Sequence, residues 1–173
     1  MKTAILFSFL TLTIINVAAQ SRTELGAEYI RSMGKGYNHA KAALRGESFN
    51  GSKNSFSAGI TYQLGSKKAY SVSHGFGVYI GYRYSFSVKT VSSAFAGARV
   101  LFSLENFEGQ TRQNSVFFTP WAEAGYHIGI GKRYYAAPSL GFGKTFKFSK
   151  DYHSLDEDNG PRLMPSVSAG YRF

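Results

Sequence analysis

Apolar residues on every second position, in segment after segment without helical periodicity, predict an all-β chain: an eight-stranded antiparallel up-and-down transmembrane β-barrel. Three observations narrow the class this far. The alternating segments have the length of a tilted bilayer-crossing strand, their apolar sides are rich in large aromatic rings, and an export leader precedes them. The last stretch shows the pattern most plainly. Leu163, Pro165, Val167, Ala169, Tyr171 and Phe173 form one face, and Met164, Ser166, Ser168, Gly170 and Arg172 the other. A period of two is a strand. Tyr171 and Phe173 stand where an interfacial aromatic girdle belongs.

The 173 residues fit one domain. Twelve Tyr, 15 Phe and 19 Gly lean towards β structure. A mean hydropathy of -0.19 has a soluble look, but inward and outward residues average each other out in a barrel. The absence of cysteine excludes disulfides, thiolate catalysis, Cys-ligated zinc and a lipidated N-terminal Cys. Residues 1–19 read as a cleaved Sec signal peptide. Lys2 supplies the positive start, Ala4 to Ile15 the apolar run, and Val17-Ala18-Ala19 the cleavage site before Gln20. Residues 20–173 then form the barrel. Losing Lys2 lowers the net charge by one from +10. A basic exported chain meets anionic lipid or acidic polysaccharide rather than nucleic acid.

Seven alternating segments are clear, at 22–33, 54–64, 74–88, 92–104, 115–130, 134–148 and 163–173. A barrel with both ends on one side needs an even number. The missing strand is expected at 40–49, where apolar alternation is poor but Asn50-Gly51-Ser52-Lys53 supplies a tight turn into the next segment. With Phe173 in the periplasm, 50–53, 89–91 and 131–133 become periplasmic turns, and 34–39, 65–73, 105–114 and 149–162 become extracellular loops. Short turns on one side and longer loops on the other is the outer-membrane arrangement.

Parity assigns the faces. Leu25, Ala27 and Tyr29 point out and Glu24, Gly26 and Glu28 in. Phe76, Val78, Ile80, Tyr82, Tyr84 and Phe86 point out, with Tyr79 and Arg83 inside. Ala94 to Phe102 alternate outward with Arg99 inside. Val116, Phe118, Ala122, Ala124, Tyr126, Ile128 and Ile130 point out, leaving Trp121, Glu123 and His127 inside. An exported soluble sandwich would instead bury these rings in a second sheet. The density of large aromatics on consecutive strands, with the leader, separates the two. Pro120, Pro138 and Pro165 fall within the strands, where a closed barrel has no free edge. Bulges or frayed rims are expected to accommodate them.

An eight-stranded barrel is filled by its own side chains. Glu24, Glu28 and Glu123 inside with Arg83, Arg99, Arg172 and His127 therefore predict a charge network that neutralises itself and plugs the lumen. Glu123 and His127 stand about 13 Å apart on one strand face, too far for a general-base pair. Gly143-Lys144-Thr145 lacks the upstream glycine and helix of a phosphate-binding loop. Gly77 to Gly81 spells a spacing that matters only in an apolar helix. Asp151, Asp156, Glu157 and Asp158 carry oxygens that could hold a divalent cation, but their spacing fits no EF-hand and a solvated turn is expected. His39, His74 and His153 are expected on three separate outer loops. No catalytic residue, metal site or cofactor is predicted. Arg31 and Lys144 are outward near the extracellular ends of their strands, where long cations can snorkel to the phosphates of lipopolysaccharide.

The tail, ending in Phe173 with Tyr171 two residues before it, resembles the closing strand of bacterial outer-membrane β-barrels. That resemblance implies recognition by the barrel-assembly machinery. Over the whole exported chain the pattern is similar to small barrels of the OmpA transmembrane domain and OmpX type. It implies an integral outer-membrane protein without enzymatic activity, displaying extracellular loops for envelope integrity or for a protein or glycan ligand. The alternatives are a lipid A-modifying barrel enzyme and a narrow small-solute channel.

Overall fold

A computed structural model describes residues 22–34, 38–49, 53–67, 72–87, 92–107, 113–148 and 160–173. Among them stand eight strands: β1 (Arg22–Ser32), β2 (Asn38–Phe49), β3 (Asn54–Lys67), β4 (Val72–Ser85), β5 (Ser93–Phe107), β6 (Gln113–Ile130), β7 (Tyr134–Lys147) and β8 (Gly160–Arg172). Each pairs antiparallel with its chain neighbours, and β1 pairs with β8, so the sheet closes into a barrel. Residues 1–19, where a signal peptide is expected, His153 and the four acids from Asp151 to Asp158 lie outside the described residues. Among those residues no helix is long and apolar enough to cross a membrane.

The parity assignments hold along every strand. Leu44, Phe76, Ile80 and Phe142 are each about two-thirds exposed, while Glu28, Tyr79, Arg99 and Trp121 on the opposite parity are at most 5% exposed. A soluble monomer rarely tolerates so broad an apolar surface in water. β2 is the strand placed by parity of number, and its weak alternation has a simple cause. Its outward residues are small, Ala40, Ala42, Gly46 and Ser48 around Leu44, whereas its inward residues include Lys41, Arg45 and Glu47.

Several strands run further at the long-loop end than the apolar alternation does. β3 continues to Lys67, β5 to Phe107, β6 starts at Gln113, and β8 starts at Gly160. Ladder hydrogen bonds need no apolar partner, so the wall continues after outward residues stop being greasy. His39 and His74 consequently stand in β2 and β4 rather than on loops. The connections at that end shrink accordingly.

The prolines are accommodated differently from expectation. The β6–β7 ladder lapses between Phe118↔Phe146 and Trp121↔Gly143, and again between Gly125↔Ser139 and Ile128↔Ala136. These gaps contain Pro120 and Pro138. The β1–β8 ladder lapses at Pro165, between Ile30↔Ser166 and the Met33↔Leu163 bridge. Register is unchanged across each gap, so no bulge is inserted. The missing N–H simply leaves a local opening between two strands. The register shifts that do occur lie elsewhere, at Ala40/Lys41 and Val72/His74.

At the closing seam Gly26 faces Gly170. A Cβ on Gly170 would stand 2.1 Å from the Leu25 carbonyl oxygen and 2.4 Å from Gly26 Cα. Only hydrogen fits at that approach. The terminal residues complete the seam, as the Phe173 N–H donates to the Thr23 carbonyl and the Arg172 N–H to the Arg133 carbonyl.

Candidate functional site: the lumen and the lipid-facing wall

Inward side chains of all eight strands meet in layers along the barrel axis. Nearest the termini, Glu24 accepts from Arg172 Nε at 2.9 Å and from Arg22 at 2.9 Å, and meets His127 Nε2 at 3.0 Å. His127 stacks on Tyr135 at 5.3 Å and meets Phe49 edge-on. The next layer is the charged centre. Arg99 Nη1 reaches both oxygens of Glu28, at 2.7 and 2.8 Å, while its Nε donates to Glu123 at 2.9 Å. Arg83 Nε donates to the same Glu123 oxygen at 2.8 Å and its Nη1 approaches Glu47. Arg45 pairs with Glu47 and donates to Ser168, and the Tyr79 hydroxyl donates to Glu28 at 2.7 Å.

Above this layer the lumen turns apolar. Ile30, Ala43, Leu101, Trp121 and Met164 pack with the Tyr79 ring, all at most 5% exposed. Beyond them lies a second polar layer, where Lys41 donates to Glu105 at 2.5 Å and Thr119 shares a hydrogen bond with Thr145 at 3.0 Å. His39 and Arg162 are buried there as well. Among the described residues the buried lumen set holds six Lys or Arg against five Glu. The interior is therefore close to neutral.

Every lumen residue named from the sequence, Glu24, Glu28, Arg83, Arg99, Glu123, His127 and Arg172, points inward. Lys41, Arg45, Glu47, Glu105 and Arg162 were missed. Reading the parity of charges, rather than of apolar residues, would have found the three on β2. Glu123 is held by two guanidiniums and Ser139, and His127 by Glu24. Neither contacts the other. Among the described residues no group of three or more His, Cys, Asp or Glu is placed to hold a metal ion.

Outside, Arg31 and Lys144 are both exposed on the lipid-facing parity. Lys144 Nζ lies 5.0 Å from the centroid of the Phe146 ring. Closure brings the two cations to one side, because β8 alone separates β1 from β7. Arg31 is in register with Pro165, which pairs with Leu140, four residues before Lys144. Strand spacing and rise per residue put their Cα atoms roughly 16 Å apart. Tyr171 and Phe173 are outward at the opposite end, edge-to-face at 5.0 Å, with Tyr134 against Tyr171 at 5.6 Å.

A closed barrel with apolar rings outside and ion pairs inside inverts the layout of a water-soluble protein. This is the fold of a transmembrane β-barrel. Among solved structures it is similar to the N-terminal β-barrel domain of Pseudomonas aeruginosa OprF, with a TM-score of 0.62 and 11% identity over 89% of this chain and 100% of that one. It is also similar to Neisserial surface protein A, at TM-score 0.60, 11% identity, 88% of this chain and 96% of that one. Ail of Yersinia pestis, solved in complex with the heparin analogue sucrose octasulfate, gives 0.55 and 12% over 89% and 99%. At these identities the likeness is one of fold. No family model matches the sequence, and no curated protein matches it.

Proposed function

We propose that the protein is a non-enzymatic integral outer-membrane barrel with a plugged lumen, which displays its long-loop end outside the cell for envelope integrity or for a protein or glycan ligand. The observation that carries this reading is the combination of a greasy exterior with an interior that, among the described residues, is occupied by paired charges and packed apolar side chains. An ion crossing the lumen would have to displace paired charges and then pass the apolar cluster around Leu101 and Trp121, each costly in free energy. Short turns face the periplasm in this reading, and the barrel arrives there after removal of residues 1–19. Tyr171 and Phe173 serve as the signal read by the barrel-assembly machinery. Arg31 and Lys144, on one side of the barrel with β8 between their strands, take phosphates of lipopolysaccharide.

Three measurements test it. The protein from membranes should need detergent and shift its mobility between unheated and heated gels; a monodisperse species in plain buffer would sink the membrane assignment. Planar bilayers should show no stable unitary conductance. Mass spectra of lipid A should be the same with and without the protein, and a gained or lost acyl chain would move the reading to a lipid-modifying enzyme.

A further inference from the structure

The acidic residues of this chain are divided between two places. Five glutamates line the lumen, and the other five acids, Glu108 and those from Asp151 to Asp158, fall in connections of the long-loop end. The short-turn end has three connections, and each carries Lys or Arg without any Asp or Glu: Lys53, Lys89, and Lys132 with Arg133. Lys89 lies outside the described residues; the others are exposed. Lys53 Nζ sits 5.7 Å from the centroid of the outward Tyr84 ring, and its carbonyl accepts from Ser85 N–H at 2.7 Å, which fixes it to the rim. Lys132 and Arg133 follow Gly131, whose φ of 62° is the left-handed value that lets this three-residue turn close. Arg133 is tied to β8 through its carbonyl, directly beside outward Tyr134 and Tyr171. Short turns hold these cations within one side-chain length of the tyrosine girdle, the depth at which lipid phosphates lie.

We infer that the short-turn end is a docking crown for anionic phospholipid headgroups of the inner leaflet, with Lys53, Lys132 and Arg133 as its phosphate contacts. The inference rests on the outer-membrane reading above. A membrane surface is favoured over the acidic groups of the cell wall because Lys53 leans on the membrane-facing Tyr84 ring and Lys132 and Arg133 stand in a short turn directly before outward Tyr134, instead of projecting on a stalk. The crown is separate in space from the Arg31 and Lys144 pair, which lies at the other end of the barrel.

The experiment reconstitutes the full exported chain in bilayers of phosphatidylcholine mixed with phosphatidylglycerol, and counts by native mass spectrometry the lipids that stay bound on release. Wild type should retain phosphatidylglycerol with roughly fivefold or greater enrichment, the strength of about one juxtamembrane cation. The triple variant K53Q/K132Q/R133Q should lose most of that enrichment, and R31Q/K144Q, which removes the two cations at the other end, only a smaller part of it. Equal enrichment in wild type and triple variant overturns the inference, as does loss in R31Q/K144Q alone. Wild-type enrichment should also decline with added salt, a reading that needs no variant; enrichment indifferent to salt would assign it to the apolar wall. Loss of co-sedimentation with purified peptidoglycan in the triple variant, with phosphatidylglycerol retention unchanged, would transfer the crown to the cell wall. Gel mobility reports insertion separately: a wild-type chain that never inserts sinks the outer-membrane reading as well, while insertion without lipid preference sinks only the crown.

Discussion

Arg99 bridges Glu28 on β1 and Glu123 on β6, so its loss leaves two buried carboxylates short of a cation. Breaking a buried pair from one side costs about 3–5 kcal/mol. Arg99→Met should therefore lower the unfolding free energy of the detergent-folded barrel, read from urea titration, by that order, and adding Glu28→Gln should recover part of the loss. A double-mutant cycle that shows no coupling between the two would remove the network from the account of stability. At the seam, Gly170→Val would drive Cβ into the Leu25 carbonyl. It should yield a chain that stays at its heat-denatured mobility on unheated gels. At this scale the sequence showed Arg83, Arg99, Glu123 and Arg172 because they sit on strands whose apolar parity is plain, Arg83 and Arg172 directly between rings. It hid Arg45 and Glu47 because their strand has Ala and Gly outside, and Glu105 and Arg162 because they lie beyond the last greasy residue of theirs.

Each strand is a period-two ribbon whose apolar side reports how far lipid extends, not how far hydrogen bonding continues. This is why predicted strand centres were right and the ends near Lys67, Phe107 and Gly160 came too early. Proline makes the same distinction. The Pro120 carbonyl points towards Gly143 of β7 and the Pro138 carbonyl towards Gly125 of β6, so both interruptions fall in a single ladder. Restoring a donor with Pro120→Val should create a new amide protected from hydrogen exchange between β6 and β7. The gain of about 1 kcal/mol for the bond is offset by the freer unfolded chain, so overall stability should hardly move. Free exchange of the amide introduced by Pro120→Val would show that the gap has another cause than the missing N–H.

For the whole molecule, the layered lumen makes a prediction that a charge network alone would not. Arg83→Ala with Arg99→Ala weakens the charged centre but leaves Ile30, Leu101, Trp121 and Met164 as an apolar barrier. Planar bilayers should remain free of unitary steps in that variant, and steps would show the apolar layer to be wet. Arg31→Gln with Lys144→Gln should reduce co-purified lipopolysaccharide severalfold, read by phosphate analysis of the purified barrel. Alternation along single strands was enough to establish the class of fold, seven of the eight strands and the side their residues face, because that information is local to a ribbon with two faces; the eighth strand followed only from the even count that a barrel requires. Closure decided the rest. Arg31 and Lys144 are far apart in sequence and neighbours across β8; Glu28 meets Arg99, and Lys41 meets Glu105, only because a ring of eight strands brings opposite walls within side-chain reach. Which inward charges pair, and where an apolar layer interrupts them, depends on register and curvature around the whole circle, and no single segment contains either.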